Sequence, residues 1–215
     1  MRLVSVNVGL PREIRWKGKT VKTSIFKLPV EGSVLLRRQN LEGDRQSDLS
    51  VHGGLTKAVY VYSTHHYQYW KGKLGRSDLA WGNFGENFTV DEMDEETVCI
   101  GDEFLVGSAR VIVTEPRFPC FKLGIRFNRP DMENLFLKSQ RTGFYFGVVE
   151  EGMVRSGDYL ERILKHPDGL RIGDVTRLYT TDKRNKVLLQ KAIAVNALPE
   201  KWRVRFEHQL RKIGE

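Results

Sequence analysis

The sequence predicts a mainly β body, a barrel or a sandwich, carrying a small all-helical unit at its C-terminal end. Three observations lead there. Short apolar-alternating runs recur through residues 1–165, at 3–8, 20–26, 33–38, 58–62, 98–100, 104–106, 109–114 and 144–149, each with the period of 2 that belongs to a strand. Turn signals separate them: Trp16-Lys17-Gly18-Lys19 reads as a hairpin tip, and Gly-Asp pairs stand at Gly43-Asp44, Gly101-Asp102 and Gly157-Asp158. After about Pro167 the period changes to that of helices. Many short strands with Gly-rich turns favour a barrel or sandwich over alternating βαβ units.

Two helices are expected to interrupt the β body. Thr64 can cap one that carries Tyr67, Trp70 and Leu74 at helical spacing. Pro130-Asp131-Met132-Glu133 opens another, with proline in the first turn and acids near the positive end of the helix dipole. In residues 166–215 three short helices follow. Ile172, Val175 and Leu178 mark the first, Val187, Leu188, Ala192 and Val195 the second, and Trp202, Phe206 and Leu210 the third, which Pro199-Glu200 opens.

The 215 residues suit one large domain or one domain with an appendage, and 40% hydrophobic with 29% charged residues is a globular composition. No apolar run approaches the ~20 residues of a membrane span. Two cysteines and no evident secretion signal favour a reducing compartment, so the expected location is the cytoplasm. The net charge is +8, and residues 161–215 hold 13 Lys and Arg against 7 Asp and Glu. Such an excess attracts anionic partners, although a solvated basic surface has the same composition.

The most informative segment is Arg117-Phe118-Pro119-Cys120-Phe121-Lys122-Leu123-Gly124. Pro116 and Pro119 argue against a helix through this stretch, which leaves Cys120 on an extended or looped segment. Positive charge on Arg117, Lys122 and Arg126 favours a thiolate, a nucleophile and a soft metal ligand. A buried structural cysteine is the competing reading. Upstream, Gly53-Gly54 before Lys57 can bring bare backbone amides to an anion, with Lys57 as a point charge and His52 as a base or donor. His52 can equally be a turn residue. Glu86-Asn87, between aromatics, can orient a ligand or tie a loop, and Arg141 can grip a phosphate or carboxylate or cap the carbonyls of a helix end. Zinc is disfavoured, because Cys99 and Cys120 lie far apart without clustered histidines. There is no P-loop, nucleophile elbow or dinucleotide fingerprint.

Taken in order, these segments resemble the MOSC family, named for the C-terminal domain of molybdenum-cofactor sulfurase. The resemblance rests on Leu41-x-Gly43-Asp44-x-Gln46-x-Asp48, His52-Gly53-Gly54-x-x-Lys57-Ala58-Val59-Tyr60, Phe84-Gly85-Glu86-Asn87-Phe88-Thr89, Val98-Cys99-Ile100-Gly101-Asp102, Pro116-Arg117-x-Pro119-Cys120-x-Lys122-Leu123 and Arg141-Thr142-Gly143. The C-terminal helices resemble those of the YiiM-like subgroup. The resemblance implies a MOSC-type β-barrel in which Cys120 ligates the metal of the molybdenum cofactor (molybdopterin) and is the catalytic residue. It further implies cofactor contacts from Lys57, Arg117, Arg141, His52, Gly53, Gly54, Glu86 and Asn87. The implied activity is reduction of N-hydroxylated compounds such as hydroxylaminopurine-type bases. No flavin or haem motif is evident, so electrons would come from a separate reductase, docked through the basic C-terminal helices. The alternative is a cofactor or sulfur carrier with a persulfide on Cys120. Specific nucleic-acid binding is not expected, because few aromatics stand among the C-terminal basic residues.

Overall fold

A computed structural model describes residues 1–47 and 53–214. In chain order the elements are β1 (Leu3–Val8), β2 (Arg12–Trp16), β3 (Lys19–Thr23), β4 (Leu28–Pro29), β5 (Ser33–Leu36), a 3-10 turn (Leu55–Lys57), β6 (Val59–Ser63), α1 (Thr64–Leu74), β7 (Phe88–Val90), β8 (Glu103–Val106) and β9 (Ala109–Pro116). Then come α2 (Phe121–Phe127), α3 (Met132–Ser139), β10 (Phe144–Glu150), β11 (Gly152–Arg155), β12 (Leu160–Leu164), α4 (Ile172–Thr180), α5 (Lys186–Ala194) and α6 (Glu200–Gly214).

Eight strands form one sheet in the order β12-β8-β9-β10-β6-β7-β1-β4, antiparallel except at β6–β7. The sheet curls until its two sides meet. Leu3 N–H donates to the Asp158 carbonyl (2.8 Å), Gly157 N–H to Leu3 (2.8 Å) and Leu160 N–H to Met1 (2.9 Å). These bonds tie the start of β1 to the chain entering β12 and make a half-barrel. Strands β5 and β11 pair as a separate ribbon, and β2–β3 form the expected hairpin. Lys17 and Gly18 at its tip have φ of 49° and 78°, the mirror-image turn whose twist suits a two-residue loop.

Strand β6 is buried on both faces, and its period of 2 divides the interior. Val59 and Val61 join the core inside the curl with Phe88, Phe104, Val111 and Phe146. Tyr60 and Tyr62 join an aromatic cluster with Tyr67, Trp70, Phe84 and Phe136, built by α1, α2 and α3. The buried residues of α4, α5 and α6, among them Ile172, Leu189 and Phe206, belong to the same apolar cluster as the sheet. Asp174 and Arg171 form a capping box at the start of α4, and Asn185 Oδ1 accepts from Leu188 N–H (3.0 Å) at the start of α5.

The barrel-like body and the three C-terminal helices agree with the sequence reading, but helix and strand contents are about equal. Part of the excess helix is α2, which begins directly after Cys120: the prolines exclude a helix only upstream of themselves. Residues 98–100 are not a strand. The Cys99–Asp102 turn stops one from forming, and only isolated pairing to residues 170–172 remains. The cap of α1 is Ser63, one residue before Thr64, its hydroxyl accepting from His65 N–H (3.3 Å). No helix among the described residues is long and apolar enough to cross a membrane.

Candidate functional site

The segment that leaves β9 is held on both sides. Arg117 N–H donates to the Gly143 carbonyl (3.1 Å). The Phe118 ring packs 4.2 Å from Tyr179 and 5.2 Å from Trp202, centroid to centroid. Beneath it the buried Glu115 carboxylate accepts from Trp202 Nε1 (2.9 Å), Lys201 Nζ (2.8 Å) and Thr56 Oγ1 (2.9 Å). Helices α4 and α6 thus brace the segment that presents Cys120. Cys120 itself is extended (φ −131°, ψ 171°), half-buried and outside any disulfide, at the entry to α2.

Cys120 opens onto a cavity of about 640 Å³ counted out to its solvent mouth, of which about 100 Å³ admits the centre of a water molecule. Four cations line it, Lys27, Lys57, Arg117 and Lys122, against one carboxylate among the described residues, Asp44. That carboxylate is committed: Lys27 Nζ pairs with it, and Asn87 Nδ2 (2.9 Å) and Gly9 N–H (2.8 Å) donate to it. Asn87 is fixed further by accepting from Tyr60 N–H (3.1 Å). Among the described residues, therefore, the lining carries more cations than carboxylates.

Arg117 is the most telling residue. Its side chain is buried, with the guanidinium 5.0 Å from the Tyr60 ring centre and 5.3 Å from that of Phe136. Burial opposes its charge, but the facing Tyr60, Tyr145 and Cys120 side chains favour it, and it stays a cation. Yet its Nη1 has no hydrogen-bond partner among the described residues, and the same is true of Ser24 Oγ, which lines the same cavity. Most buried donors find a partner, so an unpaired Nη1 in a cavity wall is free to receive an acceptor from a ligand. Burial pushes the Tyr145 hydroxyl up to about 12 and lowers the pKa of Lys57 and of Lys27.

Of the residues singled out from the sequence, Cys120, Lys57, Arg117, Asn87 and Gly53 line this cavity. Gly54 stands behind it, as the φ 88° residue whose carbonyl accepts from Lys57 N–H (3.0 Å). Glu86 lies outside the lining, its carboxylate taken up by donors from its own loop, from α1 and from β7. It accepts from Gly82 N–H (2.7 Å), Phe84 N–H (3.1 Å), Thr89 Oγ1 (2.9 Å) and the Tyr67 hydroxyl. Arg141 also lies outside, its Nη1 donating to the Ser139 carbonyl (3.2 Å) at the helix end and its guanidinium 4.0 Å from the Tyr69 ring centre. His52, like Asp48, falls outside the described residues. Sequence reasoning missed Ser24, Lys27 and Tyr145. The available signal for Lys27 was a lone cation in the otherwise apolar run Ile25-Phe26-Lys27-Leu28-Pro29-Val30.

The chain belongs to the MOSC domain family, whose model matches residues 48–161. Among its relatives, YflK of Bacillus subtilis is 40% identical over 204 residues, covering 95% of this chain and 92% of that one. A protein named "Reductase" from Gibberella moniliformis is 32% identical over 153 residues, 70% of this chain but only 27% of its own length. The crystal structure of YiiM from Geobacillus stearothermophilus superposes with a TM-score of 0.81 at 31% identity, over 97% of this chain and 98% of that one.

Proposed function

We propose that this protein binds a molybdenum cofactor in the Cys120 cavity and reduces N-hydroxylated compounds, hydroxylaminopurine-type bases among them, with electrons from a separate reductase. The observation that carries the reading is the pairing of one accessible thiol with a buried guanidinium whose Nη1 lacks an acceptor, in a single cavity lined by more cations than carboxylates among the described residues. The residues fit the cofactor. No group of three or more His, Cys, Asp or Glu among the described residues could hold a metal, so this cavity suits a metal that arrives already ligated and needs one soft thiolate more. The pterin's terminal phosphate matches the cationic excess, each charge-assisted bond contributing roughly 1.5–3 kcal/mol.

In this reading Cys120 ligates the metal, while Arg117, Lys57 and Lys122 hold anionic oxygens of the pterin and its phosphate. Asn87, locked by Asp44 and Tyr60, offers a rigid wall, and the Gly53 backbone can approach closely. When bound, the cofactor supplies the two-electron chemistry. The balance is R–NH–OH + 2 e⁻ + 2 H⁺ → R–NH₂ + H₂O: the N–O bond breaks and the hydroxyl leaves as water. The Lys57 ammonium, which burial makes more acidic, is a proton source in the cavity wall. The relative named as a reductase supports an oxidoreductase, and the cytoplasm suits a free thiol at a working site. The test is conversion of an N-hydroxylaminopurine to its amine by cofactor-loaded protein with reduced viologen as donor. Wild type should turn over and Cys120→Ser should not; equal rates in both would overturn the assignment.

A further inference from the structure

The β2–β3 hairpin leads into the cavity wall, and beyond its base it takes no part in the site described. Its base is continuous with the cavity wall, since Thr23, Ser24, Ile25 and Lys27 all line it. Its two strands pair with each other alone among the described residues, forming a ribbon about 17 Å long. Arg12, Arg15, Lys17, Lys19 and Lys22 are exposed on it against one acid, Glu13, and none of the five is in an ion pair among the described residues. The positive field continues toward the body. Burial, and after it the charges of Arg12 and Arg76, lower the pKa of Arg126, and Arg12 and Arg126 both sit over the Phe26 ring, at 3.6 and 5.1 Å.

The ribbon also has an apolar centre. Ile14 lies opposite Val21, and Trp16 opposite Lys19, so these side chains share one face. All three apolar residues are only partly buried, and none belongs to either buried cluster. An apolar centre containing a tryptophan, rimmed by Arg and Lys, is the composition of a protein interface. The surface is small, and short-lived electron-transfer encounters use small interfaces.

Resting on the reductase reading, we infer that the β2–β3 hairpin is the docking arm for the acidic face of a flavin- or iron–sulfur-bearing electron-carrier protein. It guides that partner to the cavity mouth, where the carrier is oxidised as the two electrons for N–O cleavage enter. This places the partner at the N-terminal ribbon rather than at the C-terminal helices.

The test uses cofactor-loaded protein, purified flavodoxin as the acidic probe, and the variant R15E/K17E/K19E/K22E, none of whose positions lines the cavity. The milder R15Q/K17Q/K19Q/K22Q stands in if charge reversal unfolds the ribbon. Flavodoxin binding by calorimetry and flavodoxin-driven kcat/KM should each fall about tenfold or more at ~20 mM salt and converge with wild type at ~200 mM. Viologen-driven turnover should stay within about twofold. Unchanged flavodoxin binding, equal loss with both donors, or tighter binding of a short DNA duplex than of flavodoxin by wild type would overturn the docking arm. Hairpin-dependent flavodoxin binding without turnover by either donor would refute the reductase reading and leave the docking surface standing.

Discussion

Replacing Arg117 with methionine should leave the stability of the cofactor-free protein nearly unchanged while crippling its affinity for anions. The buried Nη1 lacks an acceptor among the described residues, and an unsatisfied buried donor costs about 1–3 kcal/mol. Methionine removes that penalty and fills most of the volume. Set against this is the loss of the contacts to Tyr60 and Phe136, at 5.0 and 5.3 Å, each worth roughly 0.5–1 kcal/mol. The net lies between about 1 kcal/mol of lost and about 2 kcal/mol of added stability, a change in Tm from a fall of about 4 °C to a rise of about 8 °C for a chain of this size. With pyrophosphate as probe the order reverses. Wild type should gain stability as the ligand is added, and the variant should lose roughly tenfold or more of that affinity, the equivalent of one charge-assisted bond. Thermal unfolding of the cofactor-free forms, with and without pyrophosphate, reads both effects. A fall in ligand-free stability of more than about 2 kcal/mol would refute the reasoning, because Arg117 would then be a structural strut.

Two further outcomes follow from the same buried groups. Glu86→Gln should destabilise by about 1–3 kcal/mol, since an amide nitrogen would face donors that now converge on a carboxylate; molybdenum content should not change, and its loss would return Glu86 to the site. Stability should fall steeply above pH ~10, because unfolded tyrosines ionise there while burial holds Tyr145 neutral to about 12 and pushes Tyr60, Tyr62 and Tyr67 well up. The folded pKa is the higher one, so the stability is present below pH ~10 and lost as pH rises through the folded pKa. Tyr145→Phe should remove about 2–3 kcal/mol of that alkaline loss in urea titrations; an unchanged slope would contradict the burial.

The parts of the site legible in the sequence are those set by short-range chemistry. Pro119 before Cys120 implies an extended thiol, and Gly53-Gly54 before Lys57 implies backbone near a cation; Cys120, Gly53 and Lys57 line the cavity. The C-terminal helices were legible from the four-residue spacing of Trp202, Phe206 and Leu210. Pairings over distance were not. Lys27 meets Asp44 across 17 residues, and Asn87 reaches Asp44 across 43, and nothing local in either segment specifies the partner. Glu86 and Arg141 show the converse limit. A polar residue between aromatics has the same sequence signature whether it faces a ligand or is taken up by donors of the protein itself, and only the count of donors around it separates the two. The strands β4, β7, β11 and β12 were missed because they are short or lack alternation, their pairing being decided by tertiary contacts.

The central claim is that Cys120 holds the metal of a pterin cofactor. The most direct measurement is molybdenum and pterin per chain, for wild type and Cys120→Ala, purified from a host that makes the cofactor. Near-stoichiometric metal and pterin in wild type, with the metal lost in the variant, is the result the account predicts. Neither metal nor pterin in wild type from such a host, or equal metal in both proteins, would contradict it.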